Sequence, residues 1–326
     1  MLRHVTAVRY ATPLREGGSL PGLMEGDDLG TWVVKFSGAG QGPKALVAEV
    51  IVGELARELG LAVPELVLID VDPELGRTEP DQEVQDLLRA SAGLNLGMDY
   101  LPGSITYDPL AFDATPETAA RVLWLDVLTL NVDRSWRNPN LLVWGGRLWL
   151  IDHGAALYPH HDWAGAAAAV GRVLPGIADH VVLPVVAAEP ATFAAADAAL
   201  APRIDAELLT AVVARVPDAW LDVSRADYVS WLLARVAARA SWRDAVTAAV
   251  AEARPAAEVA PGARVAAAIA SHRHGAGSAG PGGAVGSSGA VGPGGAGAAG
   301  SGRPDWLRAG DWLRTGGAAA AENRDA

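Results

Sequence analysis

Apolar and polar residues alternate along TWVVKFS, so a strand here places Trp32, Val34 and Phe36 on one face and Thr31, Val33, Lys35 and Ser37 on the other. A second strand-like run spans Leu66 to Val71. Between the two, Lys44 to Leu59 follows the breaker GAGQGP, has no internal proline and carries the spacing of a helix. On that helix Ala45, Glu49, Gly53 and Ala56 cluster on one side, while Val47, Val50, Ile51 and Leu55 cover another. Beyond residue 105 the texture changes. Residues 116–134 and 163–252 are rich in Ala, Leu and Val and read as helical, interrupted by two strand-like runs, LLVW and RLWLID. These patterns predict an α+β chain with a small mixed lobe followed by a larger helical one. The joining stretch GLNLGMDYLPGSITYDP ends a strand-like approach in a Pro-Gly turn, and a ligand cleft is expected there.

Composition narrows the picture. With 326 residues, half of them apolar, the chain can build a sizeable core. A net charge of −12 argues against a general binder of nucleic acid or anionic membrane, although a local basic cleft is compatible with it. No cysteine is present, which excludes a disulfide framework and thiolate metal sites. The start of the chain lacks the apolar core of a signal peptide, and no run of about 20 apolar residues offers a membrane span. A cytoplasmic location is expected. From about Ser271 to Gly302 the sequence is almost wholly Gly, Ala, Ser, Pro and Val, a composition expected to be disordered. DWLR then occurs twice, at Asp305 to Arg308 and Asp311 to Arg314, either as a docking peptide or as a tail without a role.

Lysine is rare: two of the 26 basic residues, Lys35 and Lys44, against 24 arginines. Two readings stand for Lys35, a strand-edge lysine that deters aggregation and a cleft lysine that grips a phosphate as a point charge. Glu49, the charged member of the small-residue helix face, is placed either at the surface or within reach of Lys35. The denser signal lies in LDVLTLNVDRSWRNPNLLVWGGRLWLIDHG. Asp133 is followed five residues later by Asn138, the spacing of a kinase catalytic loop, and Asp152 lies fourteen residues further on. Gly145-Gly146 suits a two-residue hairpin in which Trp144 pairs with Arg147. Extending that register puts Asn138 opposite His153 and Pro139 opposite Asp152. An amide oxygen and a carboxylate at the open end of a hairpin are oxygen ligands of the kind Mg²⁺ accepts, and Asp133 can orient an attacking hydroxyl. The competing reading is ordinary Asp/Asn loop chemistry. His160 and His161, adjacent and without matching ligand spacing, read as loop histidines; Trp220 and Trp231 read as packing.

VVKF, AEVIVGELARELGLAVPE, NVDRSWRNPNLL and LIDHG, in that order, resemble the HipA-like kinases, placed within the phosphatidylinositol 3/4-kinase-related group of the protein-kinase-like fold. NVDR is closer to that group than to the HRD order of ordinary protein kinases. The resemblance covers about residues 5 to 250. It implies a bilobal protein-kinase-like fold, with an N-lobe at 1–101, a C-lobe at 102–254 and a tail at 255–326. It implies that Lys35 contacts the phosphates of ATP, Glu49 anchors Lys35, Asp133 is the catalytic aspartate, and Asn138 and Asp152 hold Mg²⁺. By the same resemblance, Met98, Tyr100 and Leu101 belong to the hinge that reads adenine, and REGGSLPG, with Gly18 and Ser19, is the phosphate loop, Ser19 being a candidate autophosphorylation site. The persistence-toxin members carry an additional segment before the kinase core, whereas this chain reaches its first strand almost directly, which weighs against a toxin role. His153 stands where Phe or Tyr is often found. The function implied is an ATP- and Mg²⁺-dependent kinase acting on a hydroxyl of an unknown protein or small molecule, with no membrane partner and no direct nucleic-acid binding. Its rivals are a nucleotide-binding pseudokinase with a regulatory role and a phosphoinositide-kinase-like lipid or small-molecule kinase.

Overall fold

Strand β1 (Arg3–Pro13) turns into β2 (Gly22–Gly26), and β2 pairs antiparallel with β3 (Thr31–Lys35). The computed structural model describes residues 1–257 apart from 15–19, 41 and 78. Helix α1 (Pro43–Glu58) leads to β4 (Leu66–Val71), and α2 (Gln82–Ala90) to β5 (Gly93–Asp99). The five strands close a barrel in the order β1-β2-β3-β5-β4, sealed by the parallel pairing of β1 with β4. β3 therefore has a neighbour on each side, which removes the strand-edge reading of Lys35. The expected alternation holds: Trp32, Val34 and Phe36 are buried with Val5, Met24, Val67 and Ile69 in the barrel core.

α1 begins with Pro43 at its first turn, where a missing N–H costs no hydrogen bond, and it has no side-chain cap. Its stability comes from packing: every residue from Leu46 to Ala56 is buried. Burying a Val, Leu or Ile side chain contributes about 2 kcal/mol, so this one helix more than offsets a missing cap worth about 1 kcal/mol. Salt bridges tie both ends to the helical part. Lys44 Nζ meets Asp222 Oδ2 at 2.7 Å and donates to the His160 carbonyl at 2.7 Å. At the other end Arg215 bonds Glu54 and, at 2.6 Å, Glu58.

After β5 come β6 (Ile105–Thr106), α3 (Pro116–Thr129), β7 (Leu141–Trp144) and β8 (Arg147–Leu150). The last three strands form a small sheet in the order β6-β7-β8. Both Gly145 and Gly146 have positive φ, 56° and 72°, as the hairpin turn requires. Five helices follow: α4 (Leu183–Ala188), α5 (Ala191–Leu200), α6 (Ala206–Val213), α7 (Arg225–Ala237) and α8 (Arg239–Ala257). Trp220 and Trp231 are buried in the large core that α1 and α3 share with these helices, and the Trp231 indole N–H donates to the Ala166 carbonyl at 2.9 Å. His160 sits in a 3₁₀ turn, Tyr158–His161, buried against Tyr228 rather than exposed on a loop. Among the described residues no helix is long and apolar enough to cross a membrane. The Gly/Ala-rich tail and its DWLR repeat lie outside the described residues.

Candidate active site

Lys35, the last residue of β3, leaves the barrel on the face opposite Trp32 and Val34 and is almost fully buried. Its ammonium bonds two carboxylates, Glu49 on α1 and Asp152 just past β8. Burial alone would drive the lysine toward its neutral form; the charges of Asp152 and Glu49 outweigh that and hold its pKa above the ordinary value. Glu49 is pulled the other way. Its burial raises the carboxyl pKa, only partly countered by Lys35, and its second oxygen, Oε2, has no hydrogen-bond partner among the described residues. Asp152, half exposed, is held below its usual range, chiefly by the Lys35 charge.

The small-residue side of α1 makes this contact possible. It lies against β4 at Gly53, and Ala45 and Glu49 take the turn after Asp152. A Cβ on Gly154 would stand 3.1 Å from Glu49 Oε1 and 3.5 Å from the Ala45 Cβ. A side chain at 154 would therefore crowd the Glu49 carboxylate and require it to shift by a few tenths of an ångström.

α3 ends at Leu130, in the left-handed conformation, and the loop carrying Asp133 follows. Asn138 Nδ2 donates to Asp133 Oδ2 at 2.9 Å, and Asn140 Nδ2 donates to the Asp133 carbonyl at 2.5 Å. The Asp133 carboxyl lies above its ordinary pKa because partial loss of hydration outweighs the two amides, and the Asp152 charge adds to the rise. Lys35–Asp152 and Asp133–Asn138 are thus two bonded pairs, and the Asp152 charge acts on the Asp133 carboxyl.

The hairpin register continues only one step past the strands, with Ile151 N–H donating to the Asn140 carbonyl at 3.2 Å. There Asn140 and Asp152 adopt positive φ, 47° and 56°, and the chains diverge. Asn138 consequently does not sit across from His153. His153 is fully buried, its Nδ1 3.3 Å from Arg134 Nη2, and burial with the Arg134 charge lowers its pKa to about 3.

Five residues that the motif reading passed over hold this loop. Arg134 is buried and paired with Asp126 at 2.6 Å; it also donates to the carbonyls of Asn140 and Ile151. His180 Nε2 lies 3.1 Å from the same Asp126 carboxylate, and Asn131 donates to it at 2.9 Å. Asn140 adds the bond to Asp133 described above. The available signal was Asp126 itself, a lone carboxylate in the apolar helical run VLWLDVLTL, where a buried charge needs a partner.

Met98 and Leu101 are buried and Tyr100 is exposed. Met98 lies opposite Val33 in the ladder that pairs Lys35 with Leu96. The Asp99 and Tyr100 N–H groups already donate to the Glu65 and Thr31 carbonyls, at 2.8 and 3.0 Å, while the Leu101 N–H makes no backbone bond among the described residues. Gly18 and Ser19 lie outside the described residues; on either side of that stretch the Leu14 N–H donates to the Pro21 carbonyl at 2.7 Å.

Among the described residues no group of three or more His, Asp or Glu is placed to hold a metal ion. The oxygens on offer are the half-exposed Asp152 carboxylate and the Asn138 amide oxygen. Two protein oxygens fit a Mg²⁺ that keeps phosphate and water ligands, and do not fit a protein cage.

The chain is thus of the mixed α+β class, with a strand lysine held between a helix carboxylate and a turn carboxylate. The family model described as HipA-like kinase matches residues 8–238, and the chain belongs to that family. Among solved structures, the Helicobacter pylori proinflammatory kinase CtkA is similar at 13% identity and a TM-score of 0.48, over 77% of this chain and 99% of that one. No curated protein matches the chain.

Proposed function

We propose that this HipA-like kinase transfers the γ-phosphate of ATP, with Mg²⁺, to a hydroxyl of a protein or small molecule. The observation that carries the reading is the junction of Lys35, Glu49 and Asp152, in which Asp152 comes from 117 residues further along the chain than Lys35 and its charge acts on Asp133. In this reading residues 1–101 and 102–254 are the two lobes of a cytoplasmic enzyme, and the segment Met98 to Leu101 meets the adenine, with the Leu101 N–H as the available donor. Lys35 presents a fixed positive charge to phosphate oxygens, and Glu49 keeps its ammonium from swinging away. Asn138 and Asp152 would hold Mg²⁺, which supplies charge neutralisation to the phosphates when bound. Asp133, with its raised pKa and its carboxylate oriented by the Asn138 amide, positions the acceptor hydroxyl and takes its proton.

Incubating the full chain with radiolabelled ATP and Mg²⁺ tests this. Labelling or ATP turnover that disappears in Asp133→Ala and Asp152→Ala is the expected result. Nucleotide-dependent thermal stabilisation with no turnover would replace the enzyme by a nucleotide-binding regulator.

A further inference from the structure

Three residues past Asp133, Trp136 is 58% exposed, an unusual position for the largest apolar side chain. Its exposure is not that of a loose loop. The Trp136 N–H donates to the Asp179 carbonyl at 3.1 Å, Ser135 N–H to the Asn138 carbonyl at 3.0 Å, and Ser135 bridges His180. The next residue, Arg137, lays its guanidinium 4.0 Å from the centre of the Trp136 ring. Stacking engages the face of the guanidinium and leaves its N–H edges open. No ion pair among the described residues uses Arg137, although Asp179 offers its backbone alongside. Val132, 40% exposed, flanks Asp133 on the other side.

We infer that Trp136 and Arg137 are the acceptor-recognition surface, and that the acceptor is a polypeptide segment carrying its hydroxyl beside an acidic side chain. The proposal rests on the kinase reading, because it assumes that the hydroxyl approaches Asp133. The rigid indole supplies contact area at low entropic cost, and the unpaired guanidinium edge selects a carboxylate. A net charge of −12 on the chain does not oppose this, since charges more than about 10 Å away are largely screened at physiological salt. The two residues divide the work. An exposed ion pair is worth roughly a three- to fivefold preference, whereas a central tryptophan contact carries roughly tenfold or more in affinity.

The test uses the full chain and three serine peptides, flanked by Glu, by Ala or by Lys, with binding read by calorimetry and phosphate transfer by radiolabel. Wild type is expected to prefer the Glu-flanked peptide, Trp136→Ala to weaken binding roughly tenfold, and Arg137→Glu to shift the preference to the Lys-flanked peptide. Cooperative unfolding of each variant verifies that it folds. An unchanged ranking in Arg137→Glu, no binding of any peptide, or capture of an RNA oligonucleotide in preference to the Glu-flanked peptide overturns the surface. Binding that depends on Arg137 without phosphate transfer keeps the surface and removes the kinase reading; transfer that ignores Arg137 does the reverse.

Discussion

Arg134 and Asp126 form an ion pair at 2.6 Å in which neither side chain is exposed. Arg134 follows Asp133 directly and grips the carbonyls of Asn140 and Ile151, so this pair fixes the Asp133 loop against the segment that delivers Asp152.

Asp126→Asn should therefore cost about 3 kcal/mol of stability, because Arg134 is left buried with its charge uncompensated. Burial raises the Asp126 carboxyl pKa, but Arg134 and His180 overcome it and hold the value at about 2. A depressed carboxylate stabilises the fold above its unfolded pKa and loses that contribution as pH falls from about 4 toward 2. Urea midpoints across this window should fall less steeply in Asp126→Asn, the difference amounting to about 2 kcal/mol.

His153 acts in a different window. Its folded pKa of about 3 is set first by burial and then by the Arg134 charge, so between about 6.5 and 3 only the unfolded chain binds the proton. Stability from this group falls on acidification by about 1.4 kcal/mol per pH unit. His153→Phe, which keeps an aromatic ring without the titration, should flatten the dependence between pH 6 and pH 4 in the same urea assay.

Lys35→Met should reduce phosphate transfer by on the order of 10²-fold or more while the chain still folds. Without the ammonium, burial drives Glu49 further toward its neutral form, which limits the cost of leaving that carboxyl unpaired. Radiolabel transfer and a thermal melt, measured side by side, check both halves; a melt that collapses would sink the claim that Lys35 acts in the site rather than in folding.

Asn140 separates backbone strain from side-chain bonding. Asn140→Gly accepts the positive φ and loses only the amide bond to Asp133, a change of about 1 kcal/mol, whereas Asn140→Ala adds a further 1 kcal/mol or so of left-handed strain. Denaturant midpoints should rank wild type, Gly, then Ala. Transfer rates in both variants should fall together if the amide holds Asp133 in place.

Local periodicity made much of the frame readable. The alternation in TWVVKFS placed Lys35 on the correct face of β3, the spacing after GAGQGP located α1 to within a residue, and Gly145-Gly146 gave the β7–β8 register. The register argument failed past Ile151 because Asn140 and Asp152, neither of them glycine, adopt positive φ, and a strand pattern does not announce this. The contact between Lys35 and Asp152 spans 117 residues, and the Asp126–His180 contact spans 54. Pairings of that range depend on how the helices pack, so the motif residues were legible and the buried charges beneath them were not.

Of the nine tryptophans within the described residues, Trp136 alone is exposed; the others are buried or partly covered. A soluble quencher such as iodide would therefore reach the emission of the Asp133 loop ahead of the rest. Once Trp306 and Trp312 are replaced by Phe, the chain carries its own optical reporter at the loop where acceptor chemistry is assigned.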